Sequence, residues 1–393
     1  MKKLLMSHTL VTGLAIFSML FGAGNLIYPL LAGMQAGNQT AIAMAGFFVT
    51  AVFLPILGLI AMILFDGNYE LFFERVGKLA GAFLIWACMM ILGPLIAIPR
   101  ITTLSHEMIA PFMPFEALRA ISPFSSFIFS LIFFSITFVA TYRENKIVAM
   151  LGNVISPALL ASLAIIFCKG IFTAQTVIQT TTPPLKIFLS NLLLGYQTLD
   201  LIGALFFASI VLNILKNTLG QNQNPRILAW TGLKAGLIGT SLLGIVYIGM
   251  SILGAYHGHG LQDINAGALF REVSFKVLGN HGAAIIAIAV LMACLSTAIA
   301  LCAVVAEYAQ TRLFQNKIGF VPSLVLTLVA CIPLSTLGLS KVFALTLGPI
   351  TYIGYPLLIT ITVCNLAYKL FGFKPIRVPV LVTFVLALAS YLS

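Results

Sequence analysis

The segment that decides the fold of this chain reads Phe17-Ser18-Met19-Leu20-Phe21-Gly22-Ala23-Gly24-Asn25-Leu26-Ile27-Tyr28-Pro29. It lies inside the first long apolar run, where two glycines weaken a helix and Pro29 removes a backbone donor. A helix broken within a bilayer is tolerated only where protein or a water-filled cavity covers the freed backbone. Close packing between helices would explain the glycines alone. The adjacent polar Asn25 favours a binding site.

A second interruption, Gly195-Tyr196-Gln197-Thr198-Leu199-Asp200, separates the apolar runs 187–194 and 201–212. Asp200 is an acid near the centre of a span, where charge is costly and usually faces a cavity or a partner. A functional or gating role is one explanation of Asp200. A structural pair with a buried cation, or a helix cap, is the alternative.

The first interruption lies in the first of the first five predicted spans. The second interruption lies in the sixth span, which is the first of the next five. Paired breaks at corresponding positions of two halves indicate the midplane binding site of a transporter. Half-helix amino termini can hold a carboxylate there, and freed carbonyls can coordinate a cation. This chemistry suits an amino acid zwitterion together with a sodium ion.

Composition places the chain in the membrane class. Of its 393 residues, 60% are hydrophobic and only 8% are charged, whereas a soluble domain has about a quarter of its residues charged. The net charge of +11 comes from single or paired basic residues between apolar segments, which excludes a nucleic-acid surface. The six cysteines form no CxxC pair, so no zinc site or disulfide framework is expected.

Apolar runs predict about twelve spans within a single transmembrane domain, 1–393. A short and doubtful one is 339–352, and the run at the amino terminus is taken as the first span because no cleavage site follows it. The predicted spans are 9–32, 40–65, 81–109, 123–141, 147–170, 188–215, 228–256, 281–309, 319–336, 339–352, 353–371 and 377–392.

The distribution of basic residues predicts a cytoplasmic amino terminus. The predicted inside set is Lys2, Lys3, Arg75, Lys78, Arg143, Lys146, Lys216, Arg226, Lys234, Arg312 and Lys317. The predicted outside set is Arg100, Arg119, Lys169, Lys186, Arg271, Lys276 and Lys341. Lys369, Lys374 and Arg377 fit badly, because a count of twelve spans puts them outside.

Two other spans carry polar groups. In the eighth, Ser296 and Thr297 either bond back to the preceding helical turn or provide oxygens for sodium. In the third, Arg100 and Glu107 are seven residues apart and share one helix face, so they form an outer gate or anchor the helix at the interface. The histidines near 257–281 are expected in a solvated loop.

The first interruption closely resembles the signature of the branched-chain amino acid carrier family, the LIVCS cation symporters. Three further runs resemble it in the same order along the chain. They are Gly93-Pro94-Leu95-Ile96-Ala97-Ile98-Pro99-Arg100, Gly195-Tyr196-Gln197-Thr198-Leu199-Asp200, and Cys294-Leu295-Ser296-Thr297-Ala298-Ile299 with Ala306-Glu307-Tyr308. The closing third resembles the family only in hydropathy.

The resemblance implies import of leucine, isoleucine and valine, coupled to sodium or to protons. It implies an all-α, five-plus-five inverted repeat of the leucine-transporter type with broken helices 1 and 6. The first repeat would cover about 9–170, the second about 188–352 and two extra helices about 353–392. Gln197 departs from the family pattern, which leaves the preferred substrate side chain open.

The resemblance also implies residue roles. The sodium ligands would be the carbonyls of Ser18, Phe21 and Ala293 and the side chains of Ser296 and Thr297. Substrate would contact Gly22, Ala23, Gly24, Asn25, Tyr196, Gln197 and Thr198. Asp200, Arg100 and Glu107 would serve gating or coupling.

Two other classes of function are weaker. A channel needs a continuous polar lining rather than two local breaks. An enzyme needs a nucleophile–base or metal constellation, and the sequence contains no GxSxG or HExxH motif. We expect a multi-pass transporter of the bacterial inner membrane without a cofactor other than sodium, and without nucleic-acid or obligate protein partners. A proton-coupled carrier of another neutral amino acid is the alternative.

Overall fold

The computed structural model describes residues 2–142, 156–174, 176–219, 225–261, 264, 266–344 and 348–392. All regular secondary structure among these residues is helical, as the sequence predicts. The physical reason is that hydrocarbon offers no hydrogen bonds, and a helix satisfies its backbone within one segment.

Eighteen α-helices are formed by the described residues. They are α1 (Lys2–Leu20), α2 (Ala23–Ala36), α3 (Thr40–Phe48), α4 (Leu54–Leu64), α5 (Tyr69–Glu74), α6 (Lys78–Met90), α7 (Ala97–Ile109), α8 (Glu116–Arg119), α9 (Pro123–Tyr142), α10 (Ser156–Phe172), α11 (Pro184–Tyr196), α12 (Asp200–Leu219), α13 (Pro225–His257), α14 (Ala266–Tyr308), α15 (Phe320–Ser335), α16 (Leu339–Ala344), α17 (Tyr355–Phe371) and α18 (Arg377–Leu392). The π-helical turns Val49–Phe53 and Ile91–Leu95 join α3 to α4 and α6 to α7.

Seven helical stretches of the described chain are long and apolar enough to cross a membrane. Four shorter apolar helices, Thr9–Leu20, Ser156–Phe172, Phe320–Ser335 and Arg377–Leu392, accompany them. Together they account for every predicted span except 339–352. The part of the predicted fifth span before Ser156 lies outside the described residues, as do Arg143, Lys146 and Asp263.

The tenth predicted span, 339–352, stays a prediction as a separate crossing, because residues 345–347 lie outside the described part of the chain and no candidate span covers all of the described remainder. Its helix α16 has six residues, which is about 9 Å of helix against a hydrocarbon core of about 30 Å. The candidate span here is Ile350–Phe371, which begins directly after Gly348-Pro349. Mean hydropathy does not separate the apolar stretches on the two sides of Gly348-Pro349. Glycine and proline nevertheless limit where a helix can form.

Contacts at one end of the molecule bear on the late basic residues Lys369, Lys374 and Arg377, which fitted the predicted outside face badly. Arg75 donates from Nη1 to Asn365 Oδ1 at 2.7 Å and from Nη2 to the Lys374 carbonyl at 3.0 Å. The connection between α17 and α18 therefore lies at the same end of the molecule as Arg75. Lys216 pairs with Asp66 at 3.1 Å, and Arg312 pairs with Glu70, at this end as well.

The predicted breaks in the first and sixth spans are confirmed. The first span is divided into α1 and α2 by Phe21 and Gly22, and the sixth into α11 and α12 by residues 197–199. At the second break Leu199 has φ +65°, a left-handed conformation that is unfavourable for a residue with a side chain. Such strain persists only where the surrounding structure imposes it.

The two broken spans pack in a reciprocal way. Helices α1 and α2 lie along α13, while α11 lies along α3 and α12 along α4. Gly33 and Gly254 bring α2 and α13 into backbone contact, since a β-carbon on either would overlap a main chain. Thus the first span packs on the seventh, and the sixth packs on the second. The boundaries 9–170 and 188–352 for the two repeats stay a prediction.

Candidate functional site where the two helix breaks meet

The breaks of the first and sixth spans are in direct contact. A β-carbon built on Gly24 would lie 3.2 Å from Thr198 Cα and 2.9 Å from Arg100 Nη2. The first turn of α2 therefore approaches the second break at a distance that leaves little room for a side chain at position 24. The sequence prediction that these distant segments share one site is geometrically consistent with this contact.

Asn25 connects the two breaks through its side chain. Its Oδ1 accepts a hydrogen bond from the Gly22 backbone N–H at 2.8 Å, which caps the amino terminus of α2. Its Nδ2 donates to both carboxylate oxygens of Asp200, at 2.9 and 2.8 Å. Asn25 and Asp200 are 1% and 3% exposed, so this network is shielded from water and lipid.

Tyr247 on α13 completes the network. Its hydroxyl donates to Asp200 Oδ2 at 2.7 Å and is also hydrogen-bonded to Asn25 Nδ2. Asp200 itself occupies the first turn of α12, where the helix dipole stabilises a negative charge. Asp200 is thus both a helix-terminus residue and a member of an interhelical network.

Arg100 on α7 bonds to the carbonyls released at the second break. Nη1 donates to the Gln197 carbonyl at 2.8 Å, and Nη2 donates to the Thr198 carbonyl at 3.3 Å. The guanidinium also lies 5.3 Å from the ring centre of Phe343, within the range of a cation–π interaction. Arg100 is 3% exposed, so it is a buried cation and not an interfacial anchor.

A small cavity of about 30 Å³ lies between the two breaks. Its polar lining comes from Gly22, Ala23, Asn25, Arg100, Thr198, Asp200 and Thr297. Its apolar lining comes from Met19, Leu20, Leu92, Ala97, Ile101, Leu199, Gly203, Phe207 and Leu301. A mostly apolar pocket with a few convergent polar groups is typical of a small-molecule site.

Beside this cavity lies a group of five residues, here named the oxygen cluster, that contains all the predicted sodium ligands: Ser18, Phe21, Ala293, Ser296 and Thr297. Thr297 Oγ1 donates to the carbonyls of Ser18 at 3.1 Å and Phe21 at 2.8 Å. Ser296 Oγ donates to the carbonyl of Ser18 at 3.2 Å and to that of Ala293 at 2.7 Å.

The helix break makes this cluster possible. In an uninterrupted helix the Gly22 N–H would bond to the Ser18 carbonyl, but here it bonds to Asn25 Oδ1. The Ser18 and Phe21 carbonyls consequently point to the hydroxyls of α14. Carbonyl and hydroxyl oxygens are the neutral ligands that a hard monovalent cation accepts.

The geometry contains a part of each explanation of the hydroxyl pair, namely bonding to the preceding turn and provision of oxygens for sodium. Ser296 and Thr297 bond back to the Ala293 carbonyl, at 2.7 and 3.3 Å, as hydroxyls in a helix commonly do. Ser296 and Thr297 also bond across to α1, which a purely local arrangement does not require. The pair therefore joins α14 to the broken end of the first span.

Some predicted site residues lie away from the cavity. Tyr196 stacks on Tyr355 with ring centres 4.8 Å apart. Gln197 contributes its carbonyl to Arg100, while its buried side chain does not line the cavity. Glu107 is two helical turns from Arg100, and its carboxylate faces Gly267 at the start of α14. The structure does not bring Glu107 to this cavity.

His257 is a further correction, whereas His259 and His281 are exposed. His257 is 5% exposed and its Nε2 lies 2.8 Å from the Gly170 carbonyl, so it does not belong to a solvated loop. Helix α13 extends to His257 and carries it into contact with α10. Among the described residues, no three His, Cys, Asp or Glu side chains are grouped to hold a metal.

Sequence reasoning missed Tyr247, which contacts both Asn25 and Asp200. Its only sequence signal is a phenolic hydroxyl in the middle of an otherwise apolar span, a position where the group needs a partner when buried. The sequence also did not reveal the apolar lining of the cavity, because Phe207 and Leu301 cannot be distinguished by sequence from other apolar residues of a span.

Comparison with known proteins finds similarity over almost the whole chain. Residues 5–393 match the family model described as branched-chain amino acid transport protein. The chain is 32% identical over 371 residues to the branched-chain amino acid permease BraB of Bacillus subtilis, covering 92% of this chain and 80% of that protein. It is 31% identical over 365 residues to the permease BrnQ of Escherichia coli, covering 90% and 79%.

Similarity to a solved structure identifies the fold. The nucleobase-cation-symport-1 family transporter Mhp1, in a closed conformation with bromovinylhydantoin bound, superposes with a TM-score of 0.62. The alignment covers 98% of this chain and 92% of Mhp1 at 16% identity. The chain therefore has the architecture of a leucine-transporter-type membrane carrier.

Proposed function

Since this chain belongs to the branched-chain amino acid transport protein family, we propose that it imports leucine, isoleucine and valine by symport with sodium. The observation that carries the proposal is the meeting of two broken helices at one cavity. Carriers bind substrate and coupling ion at such paired breaks. The relatives named above are permeases for branched-chain amino acids.

The substrate would occupy the cavity between the breaks. The amino terminus of α2 offers the backbone N–H groups of Ala23 and Gly24 and a positive dipole end to a carboxylate. Gly22, whose N–H is bonded to Asn25 Oδ1, would contact the substrate beside them. Apolar side chains such as Leu92, Phe207 and Leu301 would surround the aliphatic side chain. Tyr196, Gln197 and Thr198 would act at the second break, in part through backbone carbonyls.

Sodium would be held by the oxygen cluster. Its oxygens come from both the first span and the eighth, so one ion would connect two separate helices. Because the ligands are neutral, the ion brings its own single charge to the site beside the cavity. This arrangement supports coupling, since ion binding would stabilise the helix geometry that forms the cavity.

Proton coupling is the second candidate, because Asp200 is a buried carboxylate at the cavity. In that case Asp200 would carry the transported proton, and the oxygen cluster would have no ion to bind. The polar side chains that line the cavity come from the two breaks, from Arg100 and from Thr297, and such a local set of polar groups favours a carrier over a channel.

The cellular setting follows from the family and the charges. We propose a multi-pass protein of the bacterial cell membrane with a cytoplasmic amino terminus, in which Arg75, Lys216, Arg312 and Lys374 share the cytoplasmic end. The carrier would need no cofactor beyond its coupling ion and no obligate protein partner.

The deciding experiment is uptake of radiolabelled leucine into proteoliposomes under imposed sodium or proton gradients. An inward sodium gradient should drive accumulation, and unlabelled isoleucine and valine should compete. Uptake that persists after both gradients are collapsed would overturn symport. Uptake driven by a proton gradient alone would select the second candidate.

A further inference from the structure

Two buried side chains of opposite charge line the same cavity and remain unpaired. Arg100 and Asp200 both border the space between the breaks, and each is 3% exposed. Among the residues that the structure describes, neither forms an ion pair with another side chain. This cavity therefore contains one fixed positive and one fixed negative group.

The partners of both groups are neutral. Arg100 bonds to two carbonyls and its Nε has no hydrogen-bond partner within the described structure. Asp200 accepts from the Asn25 amide and the Tyr247 hydroxyl. Burying an ion costs on the order of several kcal/mol even after relaxation, and neutral hydrogen bonds offset that cost only partly.

A ligand with one negative and one positive group would satisfy both charges at once. Arg100 lies beside the amino terminus of α2, since its Nη2 is 2.9 Å from the β-carbon position of Gly24. A carboxylate there would meet the guanidinium and the helix dipole together. Asp200 would supply the anionic partner for an ammonium group.

We propose that Asp200 binds the ammonium group of the substrate and that Arg100 binds its carboxylate. This inference rests on the proposed function and assigns the two charged ends of the amino acid. The ammonium group replaces part of the Asn25 and Tyr247 hydrogen bonding to Asp200. Arg100 uses the free Nε edge of its guanidinium, while Nη1 stays on the Gln197 carbonyl.

The test compares leucine with two analogues that each lack one charged group. Isocaproate is leucine without the ammonium group, and isoamylamine is leucine without the carboxylate. Their binding to the purified full-length carrier is measured by competition with radiolabelled leucine in detergent at fixed sodium. Where labelled leucine binds too weakly, ligand-induced thermal stabilisation gives the same affinities.

Asp200→Asn should reduce the preference for leucine over isocaproate by about 10- to 100-fold, because a charge-assisted hydrogen bond is lost. It should leave the preference for leucine over isoamylamine unchanged. Arg100→Gln should do the reverse. Asp66→Asn is the matched control, because that carboxylate is 77% exposed, and both preferences should match the parent.

An Asp200→Asn variant that binds leucine and retains the leucine–isocaproate ratio overturns the assignment. So does a variant that weakens leucine and both analogues equally. If Asp200→Asn is not recovered as a monodisperse protein, Asp200→Glu should keep the parent ratio, and loss of that ratio counts against the proposal. Absence of leucine binding to the parent would instead remove the proposed function itself.

Discussion

The Asn25 amide nitrogen lies 2.9 and 2.8 Å from the two carboxylate oxygens of Asp200, a residue 175 positions further along the chain. One side chain follows the break in the first span, and the other begins the helix after the break in the sixth. Since Asn25 Oδ1 also caps α2, the amide group fixes both breaks at once. The two interruptions are parts of one hydrogen-bonded unit.

Tyr247→Phe should lower the thermal stability of the carrier without preventing its folding. The substitution removes the hydroxyl that donates to Asp200 Oδ2 at 2.7 Å, and a hydrogen bond to a charged group contributes about 1.5–3 kcal/mol. Unfolding in detergent, followed by intrinsic fluorescence, measures the change. Tyr142→Phe, at an exposed tyrosine, is the control, and equal unfolding temperatures for the two variants would contradict the role of Tyr247.

Ser296→Ala and Thr297→Val should raise the sodium concentration required for half-maximal leucine uptake. Each removes a neutral oxygen that reaches the first span, so saturating sodium should restore much of the rate. Initial uptake measured against sodium at two pH values gives the result.

Ser274→Ala is the matched control for the hydroxyl variants. Ser274 is buried on α14 before the kink at Gly279 and bonds to its own preceding turn, with Oγ 2.8 Å from the Phe270 carbonyl. It should leave sodium dependence unchanged. Parent-like sodium dependence in Ser296→Ala and Thr297→Val would remove both hydroxyls from the ion site.

Gly24→Leu should abolish uptake while membrane insertion stays intact. Even a β-carbon at this position lies 2.9 Å from Arg100 Nη2 and 3.2 Å from Thr198 Cα, so a larger side chain would separate the two breaks. Gly24→Ala should retain partial uptake. The comparison is Gly354→Ala, where the nearest atom is 3.9 Å away, and parent-like transport by Gly24→Leu would refute the close approach.

The orientation can be tested by cysteine labelling in a Cys168→Ser background, because Cys168 is an exposed cysteine of the parent. A membrane-impermeant maleimide should label Glu116→Cys in intact cells. Lys374→Cys should be labelled only after permeabilisation, because its backbone carbonyl is bonded to Arg75 at the proposed cytoplasmic end. Labelling in the opposite order would reverse the orientation.

Sequence reasoning located the breaks because their determinants are local. Glycine weakens a helix wherever it stands, and an isolated Asp200 in an apolar span is conspicuous. The five members of the oxygen cluster came from the family resemblance, and their contacts join positions that are 276 to 279 residues apart. Composition alone could not have brought Ser18 and Thr297 together.

Other features depend on tertiary structure that no local pattern contains. Tyr247 is 47 residues from Asp200, and nothing near it in the sequence distinguishes it from the tyrosines that pack elsewhere. Arg100 and Glu107 do share a helix face, but two turns place them about 10 Å apart along the axis. Only Arg100 therefore reaches the cavity. Mean hydropathy does not show whether residues 339–352 form a separate span, because it does not register the Gly348-Pro349 that directly precedes the candidate span Ile350–Phe371.

The packing of the helices divides the hydrogen bonds of the site into those within one set of spans and those between two sets. Spans 1, 2, 6 and 7 lie against one another, as do spans 3, 4, 8 and 9. The hydrogen bonds among Asn25, Asp200 and Tyr247 lie wholly within the first set. Those of Arg100 and of the Ser296–Thr297 pair cross between the sets.

A rigid-body rotation of one set against the other would therefore leave the Asn25 network intact. Among the hydrogen bonds described for the site, it would have to break those of Arg100 and of the two hydroxyls. Ligands bound at those crossing points would add contacts that hold the two sets together, beside the packing of α1 and α2 against α14. Access to the cavity from either side of the membrane would then be controlled by occupancy of the site itself.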